Sequence, residues 1–161
     1  MSLSPQTEQL VLANAQDANI QAAILRAMVE QESADNALAV RFEPDFYKRY
    51  LVGQDMNFVP SGCTVETERA LRAVSWGLLQ IMGETARCVG FRGWFPELTI
   101  PAVGLKWGCA YLRRLYEHYG SEGHVVVLRA YNGGPGNRHN ASNTYPDEVI
   151  ARIPGGLHGL V

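Results

Sequence analysis

Apolar residues recur at helical spacing through nearly all of the 161-residue chain, and this periodicity restricts its fold more than any other feature. The first clear helix has apolar positions three and four residues apart between Ile20 and Gln31. The longest begins at Pro101 and is ended by Gly120. Because the only strand-like run is the three valines at 125–127, the sequence predicts a mainly α fold.

Proline and capping residues mark further helices in the first half of the chain. Pro44 suits the first turn of a short helix. Thr64 is a predicted N-cap for a helix that runs to about residue 74. Glu66 and Glu68 fall in the first turn of that helix, where negative charge suits the helix dipole.

The second half follows the same logic. A helix of about two turns is predicted to end at Gly90, and residues 91–100 are predicted to form a loop. Ser121 is a predicted cap for the helix that precedes the Tyr131 region, and a last helix is predicted to start near Pro146.

Length and composition fit one globular domain. We interpret residues 1–161 as a single domain with terminal extensions at 1–18 and 155–161. Hydrophobic residues make up 47% of the chain and charged residues 19%, which disfavours disorder. A net charge of −2 gives no attraction to nucleic acid or anionic lipid, so a neutral polymer such as a glycan fits better.

The chain shows no targeting or membrane-spanning segment. Its N-terminus lacks the basic and apolar regions of a secretory signal, and no stretch of about 18 apolar residues occurs. We therefore expect synthesis in the cytoplasm without a signal peptide and no membrane insertion. No metal-binding or cofactor-binding motif is present, so no cofactor is expected.

Three widely spaced cysteines, Cys63, Cys88 and Cys109, have neither CxxC nor zinc-site spacing. Buried thiols are the simpler interpretation. A single bridge between Cys88 and Cys109 is the alternative.

Two glutamates at the end of the first helix face different surroundings. On a helical wheel with Ile24 at zero, Glu32 falls near about 80°, inside the apolar arc, whereas Glu30 falls near about 240°, beside Arg26. A carboxyl held against apolar groups has a raised pKa and can stay protonated as a general acid. Alternatively, the helix frays at Ser33 and Glu32 reaches water.

Three short motifs occur in order along the chain: Glu32-Ser33, then GLLQ at 77–80 followed by Ile81-Met82, then AYNGGPG at 130–136. Together they resemble the ES…GLMQ…AYN pattern of soluble lytic transglycosylases, the lysozyme-like family that cleaves peptidoglycan. The resemblance covers residues 20 to about 153, and the segments around Arg41 and Trp76 look more like phage or prophage members than housekeeping ones.

The resemblance implies a lysozyme-like helical fold with a substrate groove, and it implies roles for individual residues. Glu32 matches the family's catalytic glutamate, and Tyr131 matches the tyrosine close to that carboxyl. The positions implied to bind or shape the substrate are Ser33, Ser75, Gly77, Leu78, Gln80, Tyr131 and Asn132. Ser75 is the only candidate for a serine that usually lies further upstream of GLMQ. Residue by residue, Gln80 could instead be an ordinary polar helix position, and Asn132 an ordinary helix end.

The chain departs from the family between the first two motifs. The gap from Glu32 to Gly77 is longer than in typical members, and residues 37–74 carry at least one extra helix. Acids soon after Glu32 that match no family motif are Asp35, Glu43 and Asp55. Glu43, next to Pro44, is equally well explained as a charge that stabilises a helix end.

Cleavage of a β-1,4 glycosidic bond needs a proton for the leaving oxygen and stabilisation of an oxocarbenium-like centre. A hydrolase usually uses two carboxyls, whereas a transglycosylase can use one glutamate, since the acetamido group and C6 hydroxyl of N-acetylmuramic acid do the rest. The resemblance thus favours a lyase that forms a 1,6-anhydro product. The alternatives are a goose-type-lysozyme-like muramidase and a non-catalytic module for wall binding or virion structure.

Aromatic residues in or beside predicted loops are candidate sugar platforms: Trp76, Phe91, Trp94, Phe95 and Tyr145. The expected partners are peptidoglycan glycan strands, and the expected place of action is the bacterial cell wall in the periplasm. Delivery would then require either a holin, as for a phage endolysin, or carriage in a phage tail.

Overall fold

The computed structural model describes residues 2–159, and most of them lie in helices. The α-helices are α1 (Pro5–Ala18), α2 (Ala22–Ser33), α3 (Pro44–Phe46), α4 (Val65–Arg72), α5 (Gly83–Cys88), α6 (Pro101–Tyr119), α7 (His124–Gly133) and α8 (Tyr145–Ile150). Short 3₁₀ turns occupy Phe95–Thr99, Gly120–Glu122, Pro135–Asn137 and Gly156–Gly159, and a π-helical turn spans Tyr47–Leu51. The prediction of a mainly α fold is confirmed.

Several helix ends follow the sequence signals. The Thr64 hydroxyl accepts a hydrogen bond from the backbone N–H of Thr67 at 3.1 Å, so it caps α4 as predicted. However, α4 ends at Arg72, and its predicted extension to residue 74 is wrong. Ser121 lies in a 3₁₀ turn, and Gly123 precedes α7 without a side-chain cap, so the capping role predicted for Ser121 is also wrong.

The main core is built from α1, α2, α6, α7 and α8. Ile24, Leu25 and Met28 of α2 are completely buried in it. Burial of each such side chain contributes about 1.5–3 kcal/mol. The region interpreted as an N-terminal extension, 1–18, contains α1, whose Val11 is buried in the same core. Of the proposed C-terminal extension, residues 160–161 lie outside the described residues.

A small antiparallel sheet lies between the helices. Its strands are β1 (Val40–Phe42), β2 (Val74–Trp76) and β3 (Ile81–Met82), in that order. The pairs Arg41–Ser75 and Ser75–Met82 set the register. The sequence did not reveal these strands, because two or three residues are too few for a periodic pattern. The strand-like valines at 125–127 lie in α7, where their helical neighbours bury Val127.

A second apolar cluster packs under the sheet around a buried charge network. Glu68 is 1% exposed and accepts hydrogen bonds from Arg72 at 2.9 Å and from Arg87 at 2.8 Å. The Arg87 guanidinium also lies 4.0 Å from the centre of the Phe95 ring. Glu68 therefore links α4 to α5 inside the domain, and it also lies in the first turn of α4, where its charge was predicted to suit the helix dipole.

The Arg72 guanidinium lies near the end of the 37–74 segment and donates to Glu84 of α5 at 3.1 Å. It also donates to the Asn57 side chain and to the Phe58 carbonyl, each at 3.0 Å. The far end of the long segment, at Glu68 and Arg72, is therefore fastened to α5 through Arg87 and Glu84.

All three cysteines are free thiols, and Cys88 is exposed while Cys109 is buried, so this structure has no bridge between them. Across residues 2–159, no helix combines the length and apolarity needed to cross a bilayer.

Candidate functional site

Glu32 lies in the last turn of α2, where the helix opens onto a cleft of about 530 Å³. The helix ends there because Ala34 adopts a left-handed conformation (φ 51°) and its N–H bonds to the Glu30 carbonyl. Residues from the sheet, the Tyr47–Leu51 turn and the end of α7 form the other walls. The lining includes Glu32, Arg41, Glu43, Phe46, Tyr50, Ser75, Gln80, Ile81, Met82, Thr85, Tyr111, Tyr131 and residues 132–137.

The Glu32 carboxyl is strongly perturbed. Its pKa is raised to about 7, chiefly by burial and to a smaller extent by the negative charge of Glu148. The Tyr145 hydroxyl and the Arg41 charge act in the opposite direction, because both stabilise the ionised form. A carboxyl poised near neutrality can both release and accept a proton, as the sequence predicted from its position on the helical wheel.

Two tyrosines, the partly buried Tyr131 and the buried Tyr145, lie near this carboxyl. The Tyr131 hydroxyl donates to the Leu79 carbonyl at 2.8 Å, and its pKa is raised well above the usual value by burial and by Glu32. Within the described part of the chain, the buried Tyr145 hydroxyl makes no hydrogen bond of normal geometry. It nevertheless interacts with the Glu32 carboxyl, so it is placed to donate when Glu32 ionises. Sequence reasoning missed this role for Tyr145.

Gln80 occupies a tight turn rather than the helix considered as one interpretation. Its φ is 47°, and the turn joins β2 to β3. Its side-chain nitrogen donates to the carbonyls of Ala39 and Gly77, each at 2.9 Å. Since both amide hydrogens are used within the protein, the side-chain oxygen is the group that Gln80 offers to a ligand.

The other motif residues divide into two groups. Ser75 and Asn132 line the cleft with Glu32, Gln80 and Tyr131. Ser33, Gly77 and Leu78 lie outside its lining.

The second group supports the cleft from behind. The Ser33 hydroxyl donates to the Leu78 carbonyl at 3.0 Å, which ties the end of α2 to the Gln80 turn. Gly77 has a φ of 68°, and a Cβ atom there would lie 2.3 Å from the Leu98 carbonyl oxygen. The motif glycine is therefore required by the close approach of two backbones.

Of the three additional acids, one enters the cleft. Glu43 lies in the lining and accepts a 2.6 Å hydrogen bond from Arg41. Asp35 and Asp55 are not part of the lining, and one Asp35 oxygen instead accepts from the Ser4 backbone N–H at 2.7 Å. Among the described residues, the cleft lining thus includes two carboxyls, of which that of Glu43 is paired with a cation.

The aromatic residues that the sequence proposed as sugar platforms are mostly buried. Phe91, Phe95 and Tyr145 are at most 6% exposed, and Trp76 is buried with Phe91 and Phe95. Trp94 is exposed but does not line the cleft. The aromatic rings at the cleft wall are instead those of Phe46, Tyr50, Tyr111 and Tyr131. For Phe46 and Tyr50, the sequence offered one signal. The two residues follow Pro44 and are four positions apart, which is a helical spacing.

Within residues 2–159, no group of three or more histidine, cysteine, aspartate or glutamate side chains is arranged to hold a metal ion.

Searches of curated proteins and of solved structures found no match to the chain. The family model for the transglycosylase SLT domain matches residues 9–152, which is most of its length. The match spans α1 to α8 and includes all the residues that surround Glu32 in the cleft. The chain therefore belongs to the transglycosylase SLT domain family.

Proposed function

We propose that the protein is a peptidoglycan lytic transglycosylase that cleaves the β-1,4 bond between N-acetylmuramic acid and N-acetylglucosamine and leaves a 1,6-anhydro end. Membership of the family supports lytic transglycosylase-type activity on peptidoglycan in general. The observation that carries the specific proposal is a sheltered glutamate with a pKa of about 7, in a cleft that also presents Gln80 and Tyr131.

In the first step, protonated Glu32 gives its proton to the glycosidic oxygen. The bond from that oxygen to C1 of the muramic acid breaks, and the N-acetylglucosamine end leaves as an alcohol. The positive charge that develops at C1 is stabilised by the oxygen of the sugar's own acetamido group. The acceptor oxygen of Gln80 is suited to hold an acetamido N–H or a hydroxyl of the sugar.

In the second step, the Glu32 carboxylate accepts the proton of the C6 hydroxyl. The C6 oxygen then bonds to C1 and closes the anhydro ring, which returns Glu32 to its protonated form. A tethered hydroxyl has a high effective concentration, so no water needs to be positioned. The Tyr145 hydroxyl beside Glu32 supports this step, because it can donate to the carboxylate while the proton is away.

The activity of the proposed enzyme should decrease as pH rises through about 7. Glu32 must be protonated for the first step, and its raised pKa keeps it so at lower pH. The pH profile of kcat/KM on purified sacculi measures this limb. Arg41→Gln removes a charge that lowers the Glu32 pKa, so it should move the limb to higher pH. A limb near about 4.3, the ordinary glutamate value, would contradict the assignment.

The sugar product distinguishes the candidate functions. We expect mass spectrometry of digested sacculi to find anhydro muropeptides, each lighter by one water than the product of hydrolysis. A sacculus digest made with a muramidase supplies the hydrated reference. Hydrated ends would instead indicate a goose-type-lysozyme-like hydrolase, for which Glu43 in the cleft is the candidate second carboxyl. Binding without released fragments would indicate a non-catalytic wall-binding or virion module.

The family implies peptidoglycan as the substrate and the cell wall as the place of action. A phage origin, delivery through a holin, and association with a phage tail remain predictions.

A further inference from the structure

Two aromatic side chains of the 37–74 segment form part of the cleft wall. Phe46 and Tyr50 both line the cleft, and their ring centres are 5.0 Å apart with planes tilted by 49°. Tyr50 is 54% exposed, so its ring contacts Phe46 on one side and is open to solvent on the other. They lie within the long segment between the ES and GLLQ motifs and belong to neither motif.

The same segment offers a second aromatic pair for comparison. Phe42 and Tyr47 have ring centres 5.8 Å apart, and Phe42 is 49% exposed. Neither residue lines the cleft. Each pair therefore has an exposed ring, but only Phe46 and Tyr50 lie in the cleft.

The backbone holds the cleft-facing pair in place. Pro44 fixes the first turn, and the Tyr47 N–H bonds to the Glu43 carbonyl at 3.0 Å. Leu51, directly after Tyr50, is 4% exposed and anchors the π-helical turn. Because the rings are already positioned, a ligand that packs on them would lose little free energy in ordering the protein.

Polar groups flank these rings. Arg41 and Glu43 line the same cleft and bond to each other at 2.6 Å, with the Arg41 side chain 71% exposed. Aromatic faces carry partial negative charge and attract the weakly positive C–H groups of a pyranose face, while charged side chains bond its hydroxyls. An apolar face edged with hydrogen-bonding groups matches a sugar ring better than an aliphatic chain or a polyanion.

We propose that Phe46 and Tyr50 form a stacking platform for an N-acetylhexosamine ring of the glycan strand, next to the site of cleavage. This inference rests on the proposed function and deepens it, because it assigns substrate binding to the segment in which this chain departs from typical family members. Arg41 and Glu43 hold the edge of the same sugar.

The platform can be tested by binding alone. Peptide-free glycan strands would be titrated calorimetrically into the Glu32→Gln protein, with and without Tyr50→Ala. The expected result is a five- to tenfold weaker Kd for the Tyr50→Ala protein, about the loss of one aromatic contact. Tyr50→Phe should restore the affinity, since stacking needs the ring and not the hydroxyl. Melting curves should be unchanged, because Tyr50 is exposed.

Phe42→Ala is the matched control, since it removes an equally exposed ring outside the cleft. It should change Kd less than twofold. Equal losses for Tyr50→Ala and Phe42→Ala, or no loss for either, would overturn the platform.

Activity of the proteins that retain Glu32 separates this inference from the proposed function. With the platform correct, Tyr50→Ala raises KM while kcat changes little. If the wild type releases no anhydro product but the binding contrast holds, the proposed reaction fails and the platform stands. If the wild type releases anhydro product but Tyr50→Ala and Phe42→Ala have the same Kd, the proposed reaction stands and the platform fails.

Discussion

Replacing Glu32 by glutamine is expected to lower turnover on sacculi by at least about 100-fold while binding of glycan strands is retained. Glutamine fills the same volume but cannot give a proton to the leaving oxygen. The cleft otherwise keeps its walls, because Gln80 and Tyr131 are held by their own bonds to backbone carbonyls. The measurement is the initial rate of anhydro-muropeptide release, together with a binding titration on the same variant.

Glu30→Gln is the matched control, two residues away on the same helix. Glu30 lies outside the cleft lining, and its charge acts on Arg26. We expect the turnover of the Glu30→Gln variant to stay within about twofold of the wild type, because Glu30 lies outside the cleft. If Glu30→Gln were inactive and Glu32→Gln active, the helical phase assigned to Glu32 would be wrong.

A folding check accompanies the Glu32→Gln variant. Because the pKa of Glu32 is raised in the folded protein, ionisation of Glu32 lowers the free energy of unfolding. This loss is absent below the ordinary glutamate pKa and complete once the pH exceeds about 7. Glutamine removes this loss. The melting temperature of the variant at pH 8 should therefore equal or exceed that of the wild type, which separates loss of catalysis from loss of structure.

The largest expected effect on stability belongs to Glu68. Glu68→Ala leaves the guanidinium groups of Arg72 and Arg87 in the interior without their shared carboxylate, although both are at most 4% exposed. We expect a loss of about 3–5 kcal/mol in the free energy of unfolding, the usual result of breaking a buried ion pair from one side. Denaturant unfolding followed by circular dichroism measures it.

Glu117→Ala supplies the comparison on the surface. Glu117 accepts from Arg113 at 2.9 Å, but both side chains are more than half exposed. Such pairs contribute about 0–1 kcal/mol, so the variant should unfold almost as the wild type does. Similar losses in the two variants would mean that the Glu68 network is open to water in solution.

The parts of the fold that could be predicted from the sequence are those with long-range periodicity. The α2 pattern predicted the helix and, as one of two interpretations, the inward direction of Glu32, and Pro101 and Gly120 marked α6 to within a residue. Periodicity over three or more turns averages out individual exceptions. It fails over the two or three residues of each strand, where pairing with distant partners decides the structure.

The sequence was less informative where tertiary contacts override local preference. Glu68 satisfies the rule for acidic residues in a first helical turn, yet two arginines, one of them 19 positions later, draw it into the interior. Gln80 fits a helix locally, but its bonds to Ala39 and Gly77 stabilise a left-handed turn. Neither set of contacts produces a recognisable pattern in the residues that neighbour Glu68 or Gln80 in the sequence.

The cleft shows the same division. The ordered motifs predicted that Gln80, Tyr131 and Asn132 would surround Glu32, and all four line one cleft. Arg41 and the Phe46–Tyr50 pair were not predicted, because they lie in the segment that has no counterpart in the motif pattern. Resemblance to a family carries no information about residues that the family pattern does not contain.

The two fastenings of the 37–74 segment have a consequence for engineering. Gly77 and Gln80 hold its near end at the Ala39 carbonyl. Near its far end, Arg72 bonds to Glu84 of α5 and, within the segment, to Asn57 and Phe58. The residues between Ala39 and Asn57, which include both aromatic pairs, are thus joined to the helical body at their two ends. We call them the cassette. Libraries that exchange or recode only this cassette leave Glu32 and the main helical core unaltered, so they can test whether polysaccharide preference is set there.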